Sequence, residues 1–234
     1  MHIWFIMDWN RRWATGQKLT KILGHTKWSD NVEEILRLCL KNWVEFVSMW
    51  VIAKKNLEER SSLEINHLYR LIRTKIPEML PKFQKNNIRF EVIWDPLLLP
   101  EDIRKILSDT EEKTKDNKKM VFIFAIWYWW QDEIVRWVRN YIKDNLEKIM
   151  SWDAEKLLSM LDEKEFSKYL DTWKYPPPDL IVRTWGDIRT SWYFLYQSEY
   201  SEMYFTDTLW PDFWENEFNK AIWSLKSAKR NFWK

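Results

Sequence analysis

The chain has 234 residues, with 37 Lys and Arg against 35 Asp and Glu and a net charge of +2; this length suits one large domain, and the near-neutral balance argues against a nucleic-acid binder, whose basic excess is larger and clustered. A single cysteine, Cys39, excludes an intrachain disulfide framework and a multi-cysteine zinc site. The longest apolar run, Met120 to Trp130, is too short to span a bilayer, and the N-terminus has no basic lead of the signal-peptide kind, so a cytoplasmic location is expected.

In chain order, His2 to Met7 reads as a short apolar strand ending at Asp8. Ser29 or Asp30, with Glu33 completing a capping box, is expected to open a helix that runs to Lys41. Val44 to Ala53 is a buried strand, and Leu63 to Lys85 a long helix that Pro77 and Pro81 should bend or split. Ile88 to Trp94 is a strand, Pro100 to Thr114 a helix, Met120 to Ile126 the most hydrophobic strand, and Asp132 to Ile149 an amphipathic helix. Short helices are expected within Asp153 to Leu170, strands at Asp179 to Arg183 and Met203 to Thr206, and a last helix from Glu215 to Arg230. Continuous apolar strands between amphipathic helices point to one α/β domain over residues 1–234: a central, mostly parallel six-stranded sheet with helices on both faces.

One feature of the composition is abnormal. There are 19 Trp and only 3 Gly, where glycine ordinarily makes up about 7% of residues. Trp43, Trp94, Trp152 and Trp173 fall at expected element ends, where glycine supplies positive φ at no steric cost and indole has no evident use. Most of these tryptophans are expected to stand where the functional protein has glycine, as UGA codons decoded as glycine but translated as tryptophan would produce. UGG codons at these sites would contradict that expectation and leave a naturally Trp-rich protein.

In a parallel sheet, ligands bind outside the carboxyl ends of the strands. The first strand exits into Asp8-Trp9-Asn10-Arg11-Arg12-Trp13-Ala14. With glycine at position 9, backbone N–H groups could approach an anion, Arg11 and Arg12 could bond it, and Asp8 could offer a hard oxygen to magnesium. A capped turn with solvated arginines is the alternative. A second strand exit, Arg183 to Ser191, again combines guanidinium, hydroxyl and a glycine turn.

Taken in order, these blocks resemble the cis-prenyltransferases, the undecaprenyl diphosphate synthase family. His2 to Ala14 is similar to H-I-x-x-I-M-D-G-N-x-R-W-A, Gly24 to Trp28 to G-H-x-x-G, and Tyr128 to Ile134 to Y-G-G-R-x-E-I. Arg183 to Ser191 is similar to R-T-G-G-E-x-R-x-S, and Glu202 to Phe213 to E-L-Y-F-T-D-x-L-W-P-D-F. Trp9, Trp28, Trp129, Trp130 and Trp185 fall on motif glycines; Trp13 and Trp210 fall on motif tryptophans. Trp50, inside a strand, reads as genuine, whereas Trp94 and Trp233 read as further glycine sites.

The resemblance implies a magnesium-dependent transferase that condenses isopentenyl diphosphate with an allylic diphosphate such as farnesyl diphosphate. The product would be a cis-polyprenyl diphosphate, a precursor of a cell-wall lipid carrier. It implies catalytic roles for Asp8, Asn56 and His25, and a magnesium environment of Asp8 and Glu202. Substrate binding falls to Trp9, Asn10, Arg11, Arg12, Trp13, Lys21, His25, Arg60, Arg183, Arg189, Thr190 and Ser191. Asp187 takes the acidic place in the second turn, Gln131 replaces a motif arginine, and Ala53-Lys54-Lys55 departs from S-T-E. Leu68, Leu71 and Ile72 could line a product tunnel or merely form core. A homodimer, peripheral membrane contact through the lipid product, and no nucleic-acid partner are also implied. The competing reading is a catalytically silent relative acting as a partner subunit, expected to have lost the Asp8 loop. A P-loop enzyme is discounted, because no G-x-x-x-x-G-K-[ST] pattern appears even with every Trp read as Gly.

Overall fold

The computed structural model describes residues 1–7, 21–55, 59–93, 98–151, 154–191 and 193–229. Six strands form one sheet: β1 (His2–Ile6), β2 (Phe46–Ala53), β3 (Ile88–Ile93), β4 (Met120–Tyr128), β5 (Leu180–Arg183) and β6 (Glu202–Phe205). Their order is β3-β4-β2-β1-β5-β6, and every pairing is parallel, so the sheet is wholly rather than mostly parallel. Alternation along β1 shows why both faces must be covered. Ile3 and Phe5 join one apolar core, while Trp4 and Ile6 join a second on the opposite face.

The first core is roofed by α1 (Lys21–Lys41), α2 (Ser62–Asn86), α3 (Glu101–Thr114) and α8 (Glu215–Ser227). On the other side of the sheet lie Tyr175, Tyr193 and Phe194, with α4 (Trp130–Asp144), α5 (Leu146–Met150), α6 (Ala154–Ser159) and α7 (Glu163–Ser167) following β4 in the chain. Asn145 separates α4 from α5, dividing what the periodicity reads as one helix.

Two expectations need correction. Helix α1 already runs from Lys21, so positions 29 and 30 are interior to it and do not open it. Their neighbourhood bonds sideways instead: Asp30 accepts from Lys75 at 3.2 Å and Glu33 pairs with Lys82 at 2.5 Å, tying α1 to α2. Helix α2 is continuous through Pro77 and Pro81. Both prolines are exposed, so the carbonyls they leave without partners can reach water. The opposite face buries Leu68, Tyr69, Ile72, Ile76, Met79 and Phe83, which offsets a proline cost of about 3 kcal/mol each.

Three tryptophans occupy the left-handed region: Trp43 at φ 58°, Trp127 at φ 56° and Trp185 at φ 81°. At the end of α1, Val44 N–H donates to Cys39 O at 3.0 Å and Trp43 N–H to Leu40 O at 3.3 Å. This is the six-to-one and five-to-two pattern that glycine ordinarily closes. Trp127 is the extra residue of a bulge in β4, between Ile126 paired with Ile52 and Tyr128 paired with Ala53.

Candidate active site

Arg183 is the last residue of β5, at the carboxyl edge of the sheet, and is only 4% exposed. A buried guanidinium persists only where its donors are met. Here Nη1 donates to Ser191 Oγ at 2.9 Å and to the Arg189 carbonyl, and Nη2 donates to Asp187 Oδ2 at 3.3 Å. Arg189, largely exposed, donates to the same Asp187 oxygen. Two guanidiniums therefore share one carboxylate, and of the two only Arg189 is exposed.

The turn is held from behind by the segment after β6. Trp185 N–H donates to Thr208 O at 3.0 Å, Gly186 N–H to Thr206 O at 2.7 Å, and Thr206 N–H to Arg183 O at 3.1 Å. Gly186 is at φ 75°, and a Cβ there would run into the Asp207 carboxylate. Trp185, beside it and also left-handed, is half-buried.

Opposite this turn stands the amino end of α4. Trp129, Trp130, Gln131, Arg189, Thr190 and Ser191 line a cleft of about 560 Å³. Position 129 precedes α4 without a side-chain bond to the helix's free N–H groups; the Trp129 Nε1–H donates instead to Gln131 Oε1 at 2.9 Å. Behind the wall, Glu133 is buried. It accepts from Tyr128 Oη–H at 2.7 Å and from Asp171 N–H at 2.9 Å. Burial, reinforced by the Asp171 charge, pushes its carboxyl up to about 7. Burial also pushes Asp132 up, but hydrogen bonds from Lys54 and Arg136 overcome this and hold it below the usual carboxylate range.

A second, narrow pocket opens between the helical roof and the sheet, lined by Val51, Leu68, Leu71, Ile72, Phe122 and Phe124 among others. Its walls are almost wholly apolar. Leu68, Leu71 and Ile72 thus line a pocket as well as contributing to the core.

The structure brings Arg183, Arg189, Thr190 and Ser191 together. Asp8, Trp9, Asn10, Arg11, Arg12, Trp13 and Asn56 lie outside the described residues. Lys21 and His25 belong to the first turns of α1, and their side chains lie outside the described set. Arg60 is half-buried just before α2. Glu202 does not share the edge of Arg183. It opens β6 in register with Leu180, while Arg183 pairs with Phe205, which sets the two ends of the pairing about 10 Å apart along the strands. Among the described residues no group of three His, Cys, Asp or Glu side chains could hold a metal. Likewise, no described helix is long and apolar enough to cross a membrane. The sequence reading missed the double bonding of Asp187 and the Lys54–Asp132–Arg136–Asp171 network. Only the Asp132–Arg136 pair, four residues apart on a helix, carries a local signal.

Comparison with known proteins agrees with this geometry. A family model described as "Putative undecaprenyl diphosphate synthase" matches residues 6–233. An isoprenyl transferase of Fusobacterium nucleatum is 36% identical over 231 residues, covering 99% of this chain and 94% of its own length. A (2E,6E)-farnesyl-diphosphate-specific ditrans,polycis-undecaprenyl-diphosphate synthase of Legionella pneumophila is 32% identical over 231 residues, with the same coverage. The crystal structure of lavandulyl diphosphate synthase from Lavandula x intermedia, in complex with dimethylallyl diphosphate, superposes with a TM-score of 0.87. It is 30% identical, and the match covers 98% of this chain and 96% of that one. With a wholly parallel sheet, a cationic cleft at its carboxyl edge and relatives matched along almost their full length, the chain belongs to the undecaprenyl diphosphate synthase family of prenyltransferases.

Proposed function

We propose that the protein condenses isopentenyl diphosphate with an allylic diphosphate, such as farnesyl diphosphate, to give a cis-polyprenyl diphosphate that serves as precursor of a cell-wall lipid carrier. The observation that carries the reading is the turn at the carboxyl edge of the sheet, where buried Arg183 fixes Ser191 and Arg189 beside an open cleft. A diphosphate head needs such a guanidinium and hydroxyl pair at a strand exit. In each cycle the allylic C–O bond breaks and pyrophosphate leaves with the electron pair. A C–C bond forms to the isopentenyl carbon, and one proton is released. Arg183, buried and bonded to Ser191, the Arg189 carbonyl and Asp187, fixes the turn that presents Arg189, Thr190 and Ser191 to the cleft. Arg189, on the exposed side, can move from Asp187 to the ligand.

Magnesium dependence is proposed through Asp8, on the resemblance of the first loop. The described acids do not form a metal site by themselves, and Glu202 stands at the other end of its strand. No step here is therefore routed through the ion.

Homodimerisation is part of the proposal. Its support is an exposed apolar face made by Ile134, Val135, Val138 and Ile142 on α4 with Leu146 and Met150 on α5, between 40% and 81% exposed. A typical monomer's largest apolar patch covers about 300–600 Å², and a stable pair buries about 800 Å² per partner. Cytoplasmic location with peripheral membrane contact would follow from the lipid product.

The proposal also takes Trp9, Trp28, Trp129, Trp130 and Trp185 as positions for glycine. The left-handed backbone at Trp185 and the two indoles lining the cleft support it.

Incorporation of labelled isopentenyl diphosphate onto farnesyl diphosphate, with and without magnesium, tests the activity. Asp8→Ala is expected to abolish turnover with the fold retained. Activity within about tenfold of the parent would remove Asp8 from the chemistry, and no polyprenyl product from the glycine-substituted protein would favour the silent partner subunit.

A further inference from the structure

The cleft wall Trp129–Gln131 is bracketed in sequence by Tyr128 and Asp132, and one residue from another strand touches both brackets. Lys54, immediately after β2, donates its backbone N–H to Tyr128 O at 3.3 Å. Its ammonium pairs with Asp132 Oδ1. From Asp132 the bonding continues: Arg136 Nε donates to Asp132 Oδ2 at 2.9 Å, and its two terminal nitrogens grip Asp171 at 2.8 and 2.6 Å. Asp171 N–H reaches Glu133 at 2.9 Å, and Glu133 accepts from the Tyr128 hydroxyl at 2.7 Å. The circuit starts and ends on Tyr128. It joins the exits of β2 and β4, the first turn of α4 and the turn at Asp171.

We propose that Lys54 is a positioning residue of the cleft, fixing the wall Trp129–Gln131 at the distance from Arg189–Ser191 that a diphosphate requires. The proposal rests on the diphosphate reading of that cleft. Every other member of the circuit holds one bracket, or lies within the second bracket's own helix or in the loop at Asp171. Within the circuit, Lys54 alone ties the first bracket to the second from an independent strand. Asp132 meets two cations, Arg136 of its own helix and Lys54 from the exit of β2. The Lys54 side chain is 33% exposed and Asp132 19%, a partly screened pair whose contribution to global stability is modest. Its effect on geometry is larger, because a misplacement near 1 Å in a site can cost about 100-fold in rate.

The test is Lys54→Met, which keeps most of the aliphatic stem and removes the charge, with Lys54→Arg, Asp132→Asn and the double variant that combines Lys54→Met with Asp132→Asn. Two measurements apply to each: steady-state kinetics for both diphosphates, and hydrogen exchange at the amides of residues 129–131. Lys54→Met is expected to lower kcat about tenfold or more and to raise the KM for isopentenyl diphosphate, while the KM for the allylic diphosphate stays within about threefold. It should also speed exchange of the wall amides about tenfold. Lys54→Arg should restore both, and the double variant should be no worse than Lys54→Met, as expected for one shared interaction. Parent-like kcat and exchange in Lys54→Met, or fully additive losses in the double variant, would overturn the assignment. The variants are made in the chain carrying glycine at 9, 28, 129, 130 and 185; should that chain make no polyprenyl product, the proposed activity falls, while the exchange rates still decide the role of Lys54.

Discussion

Trp43 follows the last turn of α1 at φ 58° with 83% of its surface exposed. It packs on little and closes a helix end whose hydrogen bonds need a left-handed residue. For an L-residue with a Cβ that conformation costs about 1 kcal/mol or more, and glycine avoids it. Trp43→Gly is therefore expected to stabilise the protein by about 1 kcal/mol, a rise in Tm of about 3 °C, read by thermal unfolding. A fall in Tm would argue that the indole is native at this position. Other tryptophans behave differently. Trp210 is fully buried, stacked on Phe213 at 6.0 Å with Phe5 against its edge. Trp50 stacks on Tyr193 at 5.0 Å. Both are packed as genuine aromatics are, in line with their reading from sequence. Trp127 was not singled out in the sequence, because nothing local announces a bulge; its φ of 56° does.

At the scale of elements, the amino end of α4 concentrates the site's unusual electrostatics. Glu133 is raised from 4.5 to about 7 by burial and the Asp171 charge. A carboxyl whose folded pKa exceeds its unfolded value favours the folded state while protonated in both. That contribution is present below pH 4.5 and is lost as pH rises toward 7, about 3 kcal/mol in all. Glu133→Gln lacks this loss. Relative to the parent, the variant should gain about 3 kcal/mol between pH 4.5 and 7.5 in urea unfolding, on top of a pH-independent cost for the altered hydrogen bonds. A parent-minus-variant difference that stays constant with pH would show that the Glu133 carboxyl titrates alike in the folded and unfolded states. The α4 region also marks how far local sequence reaches. The apolar β4 and the amphipathic α4 were legible from periodicity, as were Arg183, Arg189 and Ser191 from their strand-exit position. Lys54 and Asp171 were not, because each meets α4 only through tertiary structure. Similarly, the acids around Ser29 read as a cap because the lysines of α2 that claim Asp30 and Glu33 are more than 40 residues away.

At the scale of the whole molecule, the sheet delivers charge to one edge and leaves an apolar face elsewhere. Strand order β3-β4-β2-β1-β5-β6 puts the exits of β1 and β5 side by side, with Ile6 opposite Arg183. Strand β1 therefore ends beside the Arg183 turn. If the face of α4 and α5 joins two copies, Val138→Glu with Ile142→Glu should convert a sedimenting dimer into a monomer, since charge in an apolar interface is costly. A parent that sediments as a monomer would reject dimerisation through this face.

Two proposals meet at the carboxyl edge of the sheet: that the cleft takes a diphosphate, and that glycine belongs where indoles line it. Mass spectrometry of products from isopentenyl and farnesyl diphosphates tests both at once, comparing the chain as written, the chain with glycine at 9, 28, 129, 130 and 185, and that glycine form carrying Arg183→Ala. The expected result is cis-polyprenyl diphosphates from the glycine form, at least about tenfold less from the chain as written, and a raised KM for isopentenyl diphosphate in Arg183→Ala. Full activity in the chain as written, or no polyprenyl product from the glycine form, would contradict it.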